Sequence, residues 1–199
     1  MKEQSRTWEK DTAYLNEISD IQDHPFVESL AIFKQHVNGN RLTHSYLVSY
    51  YSYRLARKLG WNARACARAG LLHDLFYYYP GDVSFSNGGH LRNHPKIALI
   101  NARLVTDLTP VEEDIILKHM WLATTALPKY KESYIVTFVD KYVAMYDFIQ
   151  PSYAKMMAAF KIFLKRLVLP ALKLAGTKKS SEKLRLEIEN SLQELDNNE

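Results

Sequence analysis

The fold of this chain is constrained most by the places where ionisable residues interrupt apolar helical stripes. The run Ala69-Gly70-Leu71-Leu72 ends in His73 and Asp74, adjacent residues that both make good metal ligands. A His-Asp dipeptide alone says little, because such pairs arise by chance in many chains. Here His44 lies upstream, and His94, His119 and Asp140 lie downstream. Each falls on an otherwise apolar helical face, where an unpartnered polar group costs free energy. A lone histidine in such a position is usually a satisfied core residue. The same oddity in four helices is harder to explain that way. Asp140 is harder still, since no Lys or Arg shares its stripe and a buried carboxylate needs a cation, a proton or exposure. One shared metal site would meet every need at once, because imidazoles and carboxylates together suit a first-row transition metal.

The stripes predict an all-α fold. Only seven glycines and seven prolines occur, mostly at boundaries, and no alternating strand pattern or internal repeat is present. Helices are expected over residues 7–20 and from Pro25 to the stop at Asn38-Gly39-Asn40. The next, 41–59, ends at Gly60 and points His44, Val48, Tyr51, Leu55 and Leu59 inward. A helix over 62–78 carries Ala65, Ala69, Leu72, His73 and Phe76 on one face, and its alanines with Gly70 allow another helix to approach closely. A polar loop over Pro80 to Asn93 precedes a helix opened by Pro95 and running to about Thr106. Thr109-Pro110-Val111-Glu112 is a capping box, so a helix starts there with the stripe Val111, Ile115, His119, Leu122. After a loop around Pro128, a helix over 132–149 turns Val136, Val139, Asp140 and Val143 inward.

Two regions are expected, a main domain over 1–150 and a helical tail over 151–199. Residues 151–176 read as a basic amphipathic helix, kinked at Pro170, with Phe160, Phe163, Leu164 and Leu167 among its apolar positions. Residues 181–196 read as an acidic helix. Between Phe148 and Ser181 there are seven Lys or Arg and no acid, whereas Glu182 to Glu199 holds six acids. The net charge of +4 therefore reflects the tail and gives no reason to expect a nucleic-acid partner. The basic helix is expected to pack on the domain or on a second subunit of a homodimer, in preference to lying on a membrane. The single cysteine, Cys66, excludes an internal disulfide and argues for a reducing compartment. With no signal peptide and no apolar run long enough to span a bilayer, the expected location is the cytoplasm.

The order of these residues carries a family resemblance over about residues 40–148. Arg41-Leu-Thr-His44-Ser45 resembles the opening helix of the HD superfamily of metal-dependent phosphohydrolases, and Ala69-Gly-Leu-Leu-His73-Asp74 its signature helix. His94-Pro-Lys-Ile-Ala98 and Ile116-Leu-Lys-His119 resemble the two extra histidine segments of the dinuclear branch. Phe138-Val-Asp140-Lys141-Tyr142 resembles its closing helix. The bacterial dinucleoside-polyphosphate hydrolases are the nearest sub-branch.

The resemblance implies an HD-type helical bundle. His44, His73, Asp74 and Asp140 would be its core ligands, with Asp74 bridging two ions and His94 and His119 completing the second. His90, in the Gly-rich loop, is the rival to His94. Four imidazoles and two carboxylates favour Mn, Fe, Co, Ni or Zn, and such ions would clamp phosphate oxygens and activate a water. The implied activity is hydrolysis of a phosphomonoester or phosphoanhydride, most naturally of a nucleotide.

The chain departs from the family after the dipeptide, where Leu75, Phe76 and Tyr77 replace the usual phosphate lysine or nearby Glu. Asp82 and Lys141 are then candidates for catalytic roles, and Arg41, Arg92, Lys96 and Lys118 for substrate binding. Tyr77, Tyr78, Tyr79 and Trp121 are candidates to wall a nucleobase pocket. The same ligands would also serve a mixed-valent diiron oxygenase, and the same scaffold a non-catalytic nucleotide-binding module.

Overall fold

The computed structural model describes residues 4–35 and 39–146. The expectations for the tail over 151–199, and for the homodimer drawn from it, lie outside the described residues. The described residues form an all-α domain, belonging to the unit Met1–Phe148. A 3-10 helix, Gln4–Lys10, leads into α1, Thr12–Ile18. One turn, α2 (Pro25–Glu28), continues as a 3-10 helix, Ser29–Ile32. Two-residue strands β1 (Lys34–Gln35) and β2 (Gly39–Asn40) pair antiparallel. Then come α3 (Arg41–Leu59), α4 (Ala63–Leu72), α5 (His90–Val105) and α6 (Pro110–Lys118). The last described helix, α7, covers residues 131–146.

Local chemistry sets most of these boundaries. Asp11, Asn40 and Asn62 each accept a backbone N–H of the first turn of α1, α3 and α4. Thr109 and Glu112 form the reciprocal capping box at α6. Gly60, at φ +68°, ends α3 in the left-handed conformation that glycine adopts without cost.

The centre of the fold is the packing of α3 against α4. A Cβ built on Gly70 would lie 2.8 Å from Ser49 Cα, so the backbones touch at that point. Ser45, Ser49 and Ser52 are fully buried along the same face of α3. The Ser49 hydroxyl donates to Ala67 O of α4 (2.6 Å) and accepts from the Tyr14 hydroxyl (2.7 Å). The small residues read in α4 do allow a close approach.

Several expected elements differ. The helix over 7–20 breaks at Asp11, whose side chain caps α1 and does not continue the preceding turn. The helix expected from Pro25 to Asn38 unwinds at Phe33, which turns extended and contacts Tyr77, Tyr79 and the Arg41 guanidinium. In α3, His44 and Val48 are buried as expected, together with Ser45, Ser49, Ser52, Tyr53 and Ala56. Tyr51 is half-buried, and Leu55 and Leu59 are 40% and 47% exposed, because the last turns of α3 bury Ser52, Tyr53 and Ala56 instead. The helix expected over 62–78 stops at Leu72, and His73 is its C-cap. Conversely α5 opens at His90 and not at Pro95. Asn93 Nδ2 donates to Gly88 O and Gly89 O (3.0 and 3.1 Å), tying down the first turn, and Pro95 removes only its own amide bond. Leu122 is not on a helix. It has φ +78° and is 60% exposed, in the turn after α6. In α7, Val136, Val139 and Val143 are buried as expected.

Gly70→Ala is expected to lower stability by about 1–3 kcal/mol, since the added methyl meets backbone and not a movable side chain. Urea unfolding followed by circular dichroism measures it.

Candidate metal centre

Five elements deliver six ionisable side chains to one end of this bundle. His44 lies in the first turn of α3. His73 and Asp74 follow the last turn of α4. His94 is one turn into α5, His119 is the C-cap of α6, and Asp140 is in the middle of α7. His44, His73, Asp74, His94 and His119 are buried, and the Asp140 side chain is 13% exposed.

Their donor atoms fall into two groups. His44 Nε2 lies 3.0 Å from Asp140 Oδ1, which lies 3.5 Å from His73 Nε2. His94 Nε2 and His119 Nε2 lie 2.9 Å apart, and 3.4 and 3.6 Å from Asp74 Oδ1. Asp74 joins the groups, because its other oxygen, Oδ2, lies 3.6 Å from His73 Nε2.

Backbone carbonyls set the imidazoles. Nδ1 of His73, His94 and His119 faces Gly70 O (2.8 Å), His90 O (3.0 Å) and Ile116 O (2.8 Å). A carbonyl only accepts, so Nδ1 carries the proton and Nε2 is left with its lone pair. In the neutral rings the Nε2 atoms of His94 and His119 are then two acceptors facing each other. His73 Nε2 is buried and makes no hydrogen bond of normal geometry among the described residues. Lone pairs aimed at one another and at carboxylates are what a cation would hold. With bonds of about 2.1 Å, two ligand atoms at right angles on one ion lie about 3 Å apart. The observed separations, 2.9–3.6 Å, fit such a donor set.

The electrostatics agree. Burial raises the Asp74 carboxyl, yet His73, His94 and His119 outweigh burial and hold it well below its ordinary range. Asp140 is likewise held down, against burial, by His44 and His73. Burial opposes a proton on His73, but Asp74 and Asp140 lift it to about 9. His119 is lowered to about 3 by burial and by His73 and His94.

These residues floor a cleft of 570 Å³. His73 lies beneath the cleft, while the other five line it. Of the cations expected near substrate, Arg41 and Lys141 line it as well. The Arg41 guanidinium lies 3.7 Å from the Phe76 ring centroid and donates to Phe76 O and to Tyr78 O (3.2 Å). Lys141 Nζ donates to His119 O (2.9 Å) and lies 3.8 Å from Asp140 Oδ2. Lys34 joins them; no sequence pattern singles it out, because the short β1–β2 pair is what brings it to the cleft.

Other expected residues lie elsewhere. Arg92, Lys96 and Lys118 line an adjoining groove, and Asp82 is exposed on its loop and lines neither cavity. Tyr77, Tyr78, Tyr79 and Trp121 do not line the cleft; its aromatic wall is Phe76. His90 stacks on His94 with ring centroids 4.4 Å apart, and its Nδ1 meets the Tyr78 hydroxyl at 3.0 Å.

The HD domain family model matches residues 41–145, more than half of the chain. The chain belongs to the HD domain family, whose members are mostly metal-dependent hydrolases that bind divalent ions. Comparison with curated proteins and with solved structures gives no significant match. No helix among the described residues is long and apolar enough to cross a membrane.

The proton on His73 must leave before Nε2 can bind an ion. Metal affinity of the chelator-treated protein is therefore expected to rise with pH up to about 9 and to fall about tenfold for each unit below it, if one proton is displaced. Titration calorimetry of Zn²⁺ or Mn²⁺ at pH 6, 7 and 8 measures the slope.

Proposed function

We propose that this chain is a dinuclear metal-dependent phosphohydrolase that cleaves a phosphomonoester or phosphoanhydride of a nucleotide, in the branch resembling the dinucleoside-polyphosphate hydrolases. The observation that carries this reading is the split of Asp74, with Oδ1 toward His94 and His119 and Oδ2 toward His73. His44, His73 and Asp140 with Asp74 Oδ2 would hold one ion, and His94 and His119 with Asp74 Oδ1 the other. Mn, Fe, Co, Ni and Zn all suit four imidazoles and two carboxylates. Divalent ions held there supply Lewis acidity toward phosphate and an activated water.

The chain's own residues do the rest. The carbonyls of Gly70, His90 and Ile116 hold three imidazoles in the ligating tautomer, so little reorganisation accompanies binding. Lys34, Arg41 and Lys141 line the same cleft and favour a phosphate dianion there. Lys141 is fixed on His119 O, beside the metal donors, which suits contact with the reacting phosphate. Phe76, Leu91 and Met120 line the same cleft and set an apolar wall beside these charges. The same apolar wall suits the organic part of a nucleotide.

Protein purified without chelator is expected to hold up to two transition-metal ions per chain, and Asp74→Ala to lose most of them. Elemental analysis measures this, and metal content near zero after reconstitution would overturn the reading. With Mn²⁺, Co²⁺ or Ni²⁺, a panel of phosphoesters and nucleotides is expected to show turnover that His73→Ala lowers at least about 100-fold. Bound iron with a mixed-valence paramagnetic signal, and no turnover of any ester, would favour an oxygenase instead.

A further inference from the structure

A second cavity of 690 Å³ adjoins the metal cleft and shares His90, Leu91 and Ala123 with it. Its charged residues are Arg92, Lys96 and Lys118, and among the described residues no carboxylate lines it. None of the three cations forms an ion pair with a described residue. Elsewhere on the same helix the opposite holds, since Arg103 is paired with Glu113 at 2.6 Å.

The placement of these charges is unfavourable by itself. Arg92 and Lys96 are four residues apart on α5, where like charges repel across one turn. Arg92 lies in the first turn of that helix, where the dipole disfavours cations, and that turn contains no acid to offset it. By contrast α6 has Glu112 and Glu113 in its first turn, the ordinary arrangement. Lys118, from the end of α6, adds a third positive charge to the same groove. Gly88, at φ +109°, leaves room for the Arg92 stem, since a Cβ there would lie 3.0 Å from Arg92 Cδ. A bound anion reverses each of these penalties.

We propose that this groove is a second anion subsite, so that the substrate carries two phosphate groups. One would meet the metal cleft and the other Arg92, Lys96 and Lys118, with the connecting part of the molecule along His90, Leu91 and Ala123. The chemical class is a nucleotide phosphorylated at two separated positions. This assignment rests on the phosphohydrolase reading for the role of the first phosphate, but the second can be measured without turnover.

Equilibrium dialysis of the full chain in chelator, which stops turnover, compares adenosine 3′,5′-bisphosphate with adenosine 5′-monophosphate. The bisphosphate is expected to bind at least about tenfold more tightly, as charge-assisted contacts to two or three cations allow. Lys96→Glu/Lys118→Glu, at positions not in the core, is expected to bring that ratio close to one, with the circular dichroism spectrum unchanged. Equal binding of the two nucleotides by wild type, or an undiminished preference in the double variant, overturns the subsite. The hydrolase reading is judged separately, by turnover of a monophosphate by the metal-loaded wild type. A bisphosphate preference without turnover of any ester would sink that reading and support the groove as a binding site. Turnover without preference would do the reverse.

Discussion

Asp74 carries a carboxylate into the interior of a helical bundle, and the surrounding structure is arranged to keep it ionised there. Desolvating a carboxylate costs several kcal/mol unless positive charge or hydrogen bonds compensate. His73, His94 and His119 approach Asp74 within 3.4–3.6 Å. Imidazoles are the one side chain that can compensate as cations or, when neutral, share a cation with the carboxylate. Asp140 repeats the arrangement with His44 and His73. The bundle therefore concentrates its least stable residues at one place, which is what a site for divalent ions requires and a hydrophobic core would avoid.

Helix ends do much of this work. His73 and His119 are the C-caps of α4 and α6, and each turns Nδ1 back to the carbonyl three residues earlier. Those carbonyls belong to the last turn, where carbonyl groups have no intrahelical partner. One bond thus satisfies the helix end and fixes the tautomer.

The relative position of α4 and α6 is held by a buried guanidinium. Arg68 Nε donates to Glu112 (2.6 Å), Nη1 pairs with Asp20, and Nη2 donates to Thr106 (3.0 Å) and Asp107 O (3.2 Å). Each nitrogen of the guanidinium has a partner, and those partners tie α4 to Glu112 of α6 and to the segment that precedes it. Asp114 plays the matching part for α7. It accepts from Lys129 N (2.9 Å), Tyr130 N (3.4 Å) and the Ser133 hydroxyl (2.7 Å), so the start of that helix is set relative to α6. Asp140 inherits its position from that anchor.

The all-α class, the capping box at Thr109, the stop at Gly60 and the inward face of α7 were legible in the sequence, because each depends on residues within a few positions of one another. So was the unusual run of polar residues on apolar stripes, since periodicity alone exposes it. On α3 the periodicity identifies His44 and Val48 as inward, but not that Leu55 and Leu59 are exposed while Ser45, Ser49 and Ser52 are buried where the backbone meets Gly70. The early start of α5 was hidden by Pro95, whose single missing amide matters less than the Asn93 bonds to Gly88 and Gly89. Which oxygen of Asp74 faces which histidine, which cations reach the cleft, and that Lys34 is among them were decided by the tertiary structure alone. Those facts depend on five segments meeting across up to a hundred residues of chain, and no local spacing encodes an angle between helices.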